Sequence, residues 1–397
     1  MRGLARLRAM PPRLPPAVRA LFETAGALVR RSSSGRVAIA RAAGVVPAAA
    51  LPRAFAGLPD ELEAAYAGAT EPVPAKRVER ALRDAWGRPP GRVLDRFDAE
   101  PLAVTPSAQV HAGELDGEPL AVKALRPGLA GAVRSDLALL DALAAPLGAA
   151  FPRLDVGAVL RELREAALDE LDLEHEATAQ RQAARLLRRV DGVVVPAVHG
   201  ELAADEVMVS ERLAGPTLAE AAPEDAGAVA RALVAAHLVA WRDGGTILTD
   251  PRPSHVVLLG GGAIGLLGTG VSRPGDRDRA QAAVDALVAL GERDPSAFEA
   301  AVAERLALLP APAARTAHAL LRDVLRELVT GPARLDEPAL AAVGERALAR
   351  LEDGLALAAQ VTPQPSDLAV ARMLGQLVAL LSRLGATEDW IALLRDA

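Results

Sequence analysis

The stretch Ala108-Gln-Val-His-Ala-Gly-Glu-Leu-Asp-Gly-Glu-Pro-Leu-Ala-Val-Lys-Ala-Leu125 decides the fold. Its two halves predict strands over 108–115 and 119–125, and Asp116-Gly117 between them is typical of a tight hairpin turn. A further short strand is predicted at 102–104. The sequence therefore predicts a small antiparallel sheet in this part of the chain.

Helical patterns dominate on both sides of this hairpin. Half of the composition is apolar but only 2% is aromatic, so Ala, Leu and Val must build the core, which favours helices. Helices are predicted at 17–31, 36–50, 60–67, 76–86, 129–147, 156–188 and 224–242, and over 277–397 with Pro breaks near 310–312 and 363–365. Strands are predicted at 192–199 and 206–212, and a hairpin at 254–267 around Gly260-Gly-Gly262. This order of elements is typical of a bilobal α+β fold.

Composition excludes several classes of function. The chain has no cysteine, which excludes disulfides, thiolate metal sites and cysteine nucleophiles. The net charge of −6 argues against general nucleic-acid binding. Residues 1–59 carry ten Arg and one Glu, and this basic arm could contact an anionic membrane. The alternative is a solvated, partly helical extension. No apolar run in the arm is long enough for a signal peptide or a spanning helix.

Lys123 is the strongest single candidate for a functional residue. Lysine occurs only at positions 76 and 123, although arginine is abundant. A lysine on a strand beside a cleft supplies the point charge that nucleotide phosphates need. The alternative is a lysine that protects an edge strand from aggregation. A carboxylate partner is expected from the helix at 156–188, where Glu170, Asp172 and Glu176 could share one side; a solvated acidic face is the alternative.

Several motifs occur in a fixed order between about residues 58 and 275. They are Phe97-Asp-Ala-Glu-Pro-Leu-Ala103, Ala108-Gln-Val-His111, Leu120-Ala-Val-Lys-Ala-Leu-Arg-Pro-Gly128, Glu170-Leu-Asp172 with Glu176-Ala177, Val207-Met-Val-Ser-Glu-Arg-Leu-Ala-Gly215, Trp241-Arg-Asp-Gly244 and Asp250-Pro-Arg-Pro253. In this order they resemble the motifs of the UbiB/AarF family of atypical protein-kinase-like proteins. The agreement of several separate motifs makes the resemblance stronger than any one of them.

The resemblance implies a kinase-like fold with a small sheet-containing N-lobe, a mostly helical C-lobe and a helical N-terminal extension. We place the extension at 1–57, the N-lobe at 58–215 and the C-lobe at 216–397. The family implies binding of ATP or ADP and a link to ubiquinone or other isoprenoid-lipid metabolism, often at a membrane. The resemblance also implies the roles of site residues. Lys123 would contact phosphate with Glu176 as its partner, and Ala108, Gln109 and Glu211 would bind the nucleotide. Glu170 and Asp172 would face the extension, and Asp250 would lie in the catalytic loop.

Two departures fall where the family binds its metal. His255 stands in place of a metal-binding Asn, and Gly268 in place of the Asp that holds magnesium. Magnesium requires hard oxygen ligands, which neither residue offers. Because phosphoryl transfer depends on charge neutralisation by that metal, we expect a pseudokinase that does not use magnesium and binds nucleotide weakly or not at all. His255 itself is expected to be a hydrogen-bonded structural residue rather than a transition-metal ligand.

Two other functions stay open. One is a working ATPase or small-molecule kinase with relocated metal ligands. The other is a helical lipid- or membrane-docking protein in which the cleft is incidental. The expected partners are a nucleotide, an isoprenoid lipid or a quinone-pathway protein, with peripheral membrane contact through residues 1–59. We expect a cytoplasmic location, free or peripheral at the inner face of the membrane.

Overall fold

The computed structural model describes residues 71–105, 107–129, 137–169 and 171–396. The predicted helices before residue 71, the basic arm and Glu170 lie outside the described residues. Within the described ranges, no helix combines the length and apolar character needed to cross a membrane.

Helices and short strands alternate through the first half of the described chain, and helices dominate the second half. The helices are α1 (Ala75–Trp86), α2 (Ala144–Ala150), α3 (Val156–Asp169), α4 (Leu173–Leu187), α5 (Ala226–Leu238), α6 (Arg277–Glu292), α7 (Pro295–Glu299), α8 (Ala311–Val324), α9 (Glu337–Ala349), α10 (Leu351–Ala358), α11 (Pro365–Leu384) and α12 (Trp390–Asp396). The strands are β1 (Arg96–Val104), β2 (Ala108–Leu115), β3 (Glu118–Leu125), β4 (Val193–Val194), β5 (Val207–Glu211), β6 (Thr246–Leu248), β7 (Val256–Gly260), β8 (Ala263–Leu266), β9 (Ser272–Pro274), β10 (Ala333–Arg334) and β11 (Thr387–Glu388).

The N-lobe is an antiparallel sheet in the order β1-β2-β3-β5. The predicted hairpin is confirmed: Leu115 pairs with Glu118, and both turn residues, Asp116 and Gly117, have positive φ. Two positive φ angles are the signature of the type I′ turn that Asp-Gly favours. Behind the sheet, Val78 and Leu82 of α1 belong to the same buried cluster as the inward-facing residues of β3 and β5.

The helix predicted over 156–188 is wrong as a single element. The chain forms α3 and α4 instead, and Asp172 is the N-cap of α4, accepting a hydrogen bond from the His175 amide at 2.8 Å. An Asp side chain satisfies amides that a helix start would otherwise leave unpaired, so it favours a new helix here. Asp172 therefore does not share a helical face with Glu176, which lies in the first turn of α4.

The strand predicted over 192–199 is also wrong over most of its length. Val193–Val194 pair in parallel with β8, Pro196 has no amide hydrogen for a ladder, and beyond it Val198 forms an isolated bridge with Ser210 of β5. The hairpin at 254–267 is confirmed as β7 and β8, which join β4 in a three-stranded sheet. All three glycines of its turn, Gly260-Gly-Gly262, have positive φ.

The C-lobe is built around α5, whose apolar residues lie at the centre of the largest buried cluster, as the predicted helix at 224–242 requires. A π-helical turn over Val239–Asp243 extends α5. Both Pro breaks are confirmed, because α8 begins at Ala311 and α11 at Pro365. The two-stranded sheets β6-β9 and β10-β11 were not predicted. The long helix α11 packs against α5 and against β6, so it closes the back of the lobe.

Candidate functional site in the interlobe cleft

Lys123 and Glu176 form an ion pair between the N-lobe sheet and α4. The Lys123 ammonium lies 2.5 Å and 2.6 Å from the two Glu176 carboxylate oxygens. Lys123 pairs with Val110 on one side and Met208 on the other, so it lies at the middle of the sheet. Glu176 is buried, with 7% of its side chain exposed. The sheet and α4 together can therefore hold one fixed ammonium at the cleft.

The other nucleotide-binding candidates divide between the two faces of the sheet. Ala108 lies on the Lys123 face and is fully buried in a cluster with residues of α4. Gln109 lies on the opposite face, where its amide bonds the Val73 backbone and the His111 ring. Glu211 also lies on that face, and its carboxylate accepts from the Ala197 amide. The structure brings Ala108 to Lys123 but not the side chains of Gln109 or Glu211.

The acidic motif is not assembled into one site by the described residues. Asp172 is exposed, and its carboxylate caps α4. Glu170 and the extension that this motif was expected to face lie outside the described residues, so that role stays a prediction.

Asp250 lies just after β6, and its carboxylate is almost completely buried, with 2% exposed. Its Oδ1 accepts from Arg252 Nε at 2.7 Å and from the Arg372 guanidinium at 3.2 Å. Arg372 comes from α11, and burial lowers the pKa of its guanidinium although Asp250 opposes that shift. Sequence reasoning missed both arginines. Arg252 stood inside the quoted Asp250-Pro-Arg-Pro253 motif, whereas Arg372 lies 122 residues from Asp250 and gave no signal.

His255 and Gly268, the two positions where the sequence departs from the metal ligands that the family resemblance implies, lie against each other. His255 Nδ1 lies 3.0 Å from the Asp250 carbonyl oxygen, and because a carbonyl only accepts, Nδ1 is the donor. Burial is the largest influence on His255 and lowers its pKa, which favours the neutral ring. Gly268 has φ +68°, and a Cβ added there would lie 2.6 Å from His255 Nδ1. The imidazole thus occupies the space that a side chain at position 268 would need.

The segment Leu267-Gly-Thr-Gly270 ends against α4, where Gly270 packs on Glu176. A Cβ on Gly270 would overlap the Glu176 side chain and lie 2.7 Å from the Glu176 carbonyl oxygen. Thr269 is buried, and its hydroxyl has no hydrogen-bond partner among the described residues. The cavity between Asp250, His255 and Thr269 measures about 20 Å³. That volume suits about one water molecule.

The donor set of the cleft does not fit a resident magnesium ion. Glu176 is paired with Lys123, Asp250 with two arginines, and both Asp169 and Glu162 with Arg273. Magnesium requires carboxylate, phosphate or water oxygens in octahedral geometry, and these carboxylates already face fixed cations. Across residues 71–105, 107–129, 137–169 and 171–396 there is no group of three His, Asp or Glu arranged to hold a metal.

The sheet with its paired central lysine, the helix that supplies the glutamate and the helical lobe with its aspartate loop define a protein-kinase-like fold. Residues 67–302 match the model of the ABC1 atypical kinase-like domain. This match covers more than half of the chain, which therefore belongs to that family. The resemblance to the UbiB/AarF family and the predicted bilobal α+β class are both confirmed.

Similar proteins are found among bacterial kinase-like proteins. Over 148 residues the chain is 35% identical to "Probable protein kinase UbiB" of Pseudomonas putida, covering 36% of this chain and 27% of that protein. Over 172 residues it is 35% identical to the protein of the same name from Pseudomonas paraeruginosa, covering 40% and 31%. The match spans less than a third of the length of these relatives.

A solved structure extends the likeness over most of the chain. The structure of Rv3197 from Mycobacterium tuberculosis, determined in complex with erythromycin, superposes with a TM-score of 0.62. The two chains are 23% identical, and the match covers 85% of this chain and 87% of the other. At this identity the likeness establishes the shared fold.

Proposed function

We propose that this chain is a pseudokinase of the UbiB type, acting as a regulatory or scaffolding partner in isoprenoid-lipid or quinone metabolism. The observation that carries the proposal is the contact between His255 and Gly268. The ring fills the place from which the family's metal-binding carboxylate would project. Both departures from the family motif therefore form one packed unit, and a change at either position alone does not recreate a metal site.

The charges around Asp250 support the same proposal. In an active kinase-like site, a divalent cation neutralises the phosphates and is itself held by carboxylates. Here the Asp250 carboxylate is neutralised by Arg252 and Arg372, which are covalently part of the chain and cannot follow a migrating phosphoryl group. Asp250 thereby becomes a structural anion that ties α11 to the loop.

The retained Lys123 leaves room for weak, metal-independent binding of ATP or ADP. Its ammonium is held by Glu176 in an arrangement that can offer one charge to a phosphate. Against tight binding stands the C-lobe side of the cleft, where the Asp250 carboxylate is already paired with Arg252 and Arg372 and is not available to a metal that would bridge to phosphates. We therefore propose that nucleotide binding is weak or absent.

The second candidate is an ATPase or small-molecule kinase with relocated metal ligands. Asp169 and Glu176 favour it, because both line one small cavity beside Gly270. Both carboxylates already have cationic partners, Arg273 and Lys123, that a metal would have to displace. This cost makes the second candidate the weaker one.

A thermal-shift titration with ATP or ADP, with and without Mg²⁺, tests the proposal. A ligand present at 100 times its Kd stabilises a protein by about 2.7 kcal/mol, which such a titration detects easily. We expect no magnesium-dependent shift and no phosphate release. Any metal-independent shift should disappear in Lys123→Ala. A magnesium-dependent shift with phosphate release would reject the pseudokinase, and its loss in Asp169→Asn would establish the second candidate.

The lipid side of the proposal is tested separately. The basic arm, residues 1–59, is the segment that we propose to contact an anionic membrane surface. Flotation with liposomes that contain anionic lipid should recover the full chain and not a chain that begins at residue 60. Equal recovery of both would remove the arm from the proposal without affecting the pseudokinase assignment.

A further inference from the structure

A further cavity, in addition to those beside Asp250 and Gly270, lies behind the cleft, between α4 and the segment that connects α5 to β6. It measures about 230 Å³ and is far larger than the cavity beside Asp250. Its apolar wall comes from Ala183 and Leu186 of α4, Ala240 and Leu248. Leu248 also lines the small cavity beside Asp250, so it forms the partition between the cleft and this rear cavity.

The charged groups of the rear cavity leave an excess of positive charge. Asp243 lines the cavity, but its carboxylate is paired with Arg189 at 2.7 Å and with Arg242 at 3.0 Å. Arg277, the first residue of α6, lies at the exposed edge of the cavity. It has no hydrogen bond or ion pair with any other residue in the described part of the chain. An anion that enters the cavity would therefore meet one guanidinium with all its donors available.

We propose that the rear cavity binds a short anionic molecule with an apolar body, its carboxylate or phosphate at Arg277 and its chain against Ala183 and Leu248. The volume sets the size of the ligand. An apolar cavity of about 150 Å³ is known to hold benzene, with six heavy atoms, so a cavity of about 230 Å³ has room for a ligand of about eight. Hexanoate, with eight, is a probe of matching size, and the proposal is independent of any activity in the cleft.

The binding experiment uses the full chain and three probes with the same hydrocarbon chain. Saturation-transfer NMR measures hexanoate, 1-hexanol and hexylamine in turn, because ligands of this size bind weakly, with Kd on the order of 1 mM. Hexanoate is expected to bind at least fivefold more tightly than 1-hexanol, and hexylamine is expected not to bind. Equal binding of all three probes, or no binding of hexanoate, would overturn the proposal.

Two variants separate the apolar wall from the charge. Ala183→Leu adds three carbon atoms to the cavity, which leaves room for about five heavy atoms, and should abolish binding of both hexanoate and 1-hexanol. Its matched control is Ala179→Leu, one helical turn earlier on α4 and outside the cavity lining, which should bind as the parent chain does. Arg277→Gln changes an exposed residue and should preserve the fold, while hexanoate loses its advantage over 1-hexanol. Unchanged hexanoate binding in Arg277→Gln would refute the role of Arg277 even if Ala183→Leu does not fold.

Discussion

The buried carboxylates on the two walls of the cleft differ in the number of cations that they contact. On the N-lobe side, Glu176 faces one ammonium, that of Lys123, and the pair is balanced. On the C-lobe side, Asp250 faces two guanidiniums, those of Arg252 and Arg372. The N-lobe wall keeps the arrangement that a kinase-like site uses for phosphate. On the C-lobe wall the carboxylate is neutralised by two charges that belong to the chain.

This difference shows how the cleft holds two buried carboxylates with cations from its own chain. A buried Asp250 without a cation would be costly, since an isolated charge in the interior is poorly solvated. The arginines remove that cost, and Arg372 also anchors α11 against the loop that follows β6. The C-lobe wall should therefore contribute more to stability than the N-lobe wall, and each prediction below tests part of this comparison.

The largest effect is expected from Asp250→Ala. Its removal leaves the guanidinium of Arg372, which is 17% exposed, without its carboxylate. Breaking a buried ion pair by deleting one partner costs about 3–5 kcal/mol, and we expect a loss of that size in the free energy of unfolding. Urea denaturation followed by circular dichroism measures it.

Asp243→Ala is the matched control for this variant. Asp243 also bonds two arginines, but a third of its side chain is exposed, and pairs in contact with solvent contribute only about 0–1 kcal/mol. If Asp250→Ala proves as stable as the parent chain, or more so, Asp250 is a strained catalytic residue and the structural reading of the C-lobe wall fails.

A somewhat smaller loss is expected from Gly268→Asp. The new Cβ would lie 2.6 Å from the His255 ring, and φ +68° is unfavourable for any residue with a side chain. Overpacking of this kind, together with a buried carboxylate, should cost about 2–4 kcal/mol. Thermal and urea denaturation of the variant measure the loss.

The double variant His255→Asn with Gly268→Asp tests the coupling between the two positions. Asn is smaller than His and supplies an oxygen, so the double variant should be more stable than the sum of the single changes predicts, by about 1 kcal/mol or more. Mg²⁺ should stabilise the double variant and not the parent chain. Additive effects, with no response to Mg²⁺, would show that the imidazole is not what excludes a carboxylate from position 268.

The sequence predicted the N-lobe well because its signals are local. The Asp116-Gly117 turn fixes the register of β2 and β3, and that register places Lys123 at the centre of the sheet. The edge strand β1 was underestimated as 102–104, since Pro101 interrupts the pattern. Its pairing with β2 changes register at that residue, an irregularity that an edge strand tolerates.

The candidate site was less predictable, because its decisive contacts join distant segments. The sequence shows which residue types stand at positions 255 and 268. It does not show that His255 packs against Gly268. The break between α3 and α4 at Asp172 was missed because the acidic residues continue a helical pattern on both sides of the cap. The contact between the Arg372 guanidinium and Asp250 depends on how α11 packs, and no local sequence pattern predicts that packing.

A moderate effect is expected at the N-lobe wall from Lys123→Met. Glu176 would lose its partner while staying buried, but 22% of the Lys123 side chain is exposed, so water can partly replace the ammonium. We expect a loss of about 2–3 kcal/mol in the free energy of unfolding, less than for Asp250→Ala. Replacing both partners, as Lys123→Met with Glu176→Met, removes the unpaired charge and should restore part of the loss. A double variant less stable than Lys123→Met would contradict this account.

The smallest effect is a pH dependence that comes from His237, beneath the C-lobe wall. Its ring is buried in α5, lines the small cavity beside Asp250, and lies with Nδ1 2.7 Å from the Leu233 carbonyl oxygen. Burial lowers its pKa below the ordinary 6.5. Below about pH 6.5 the unfolded chain binds a proton that the folded chain does not, so this contribution to stability is complete above that pH and is lost as the pH falls. One such proton gives a slope of at most about 1.4 kcal/mol per pH unit.

His237→Gln should remove this slope between pH 6.5 and 5.5 while leaving the stability difference between pH 7 and 8 unchanged. Burial lowers the pKa of His255 in the same direction, so some pH dependence should persist in the single variant. At His255 the Asp250 carboxylate opposes the effect of burial on the pKa. If the slope of His237→Gln equals that of the parent chain, His237 is protonated in the folded protein, and the positive charge near Asp250 then includes a third group besides the two arginines.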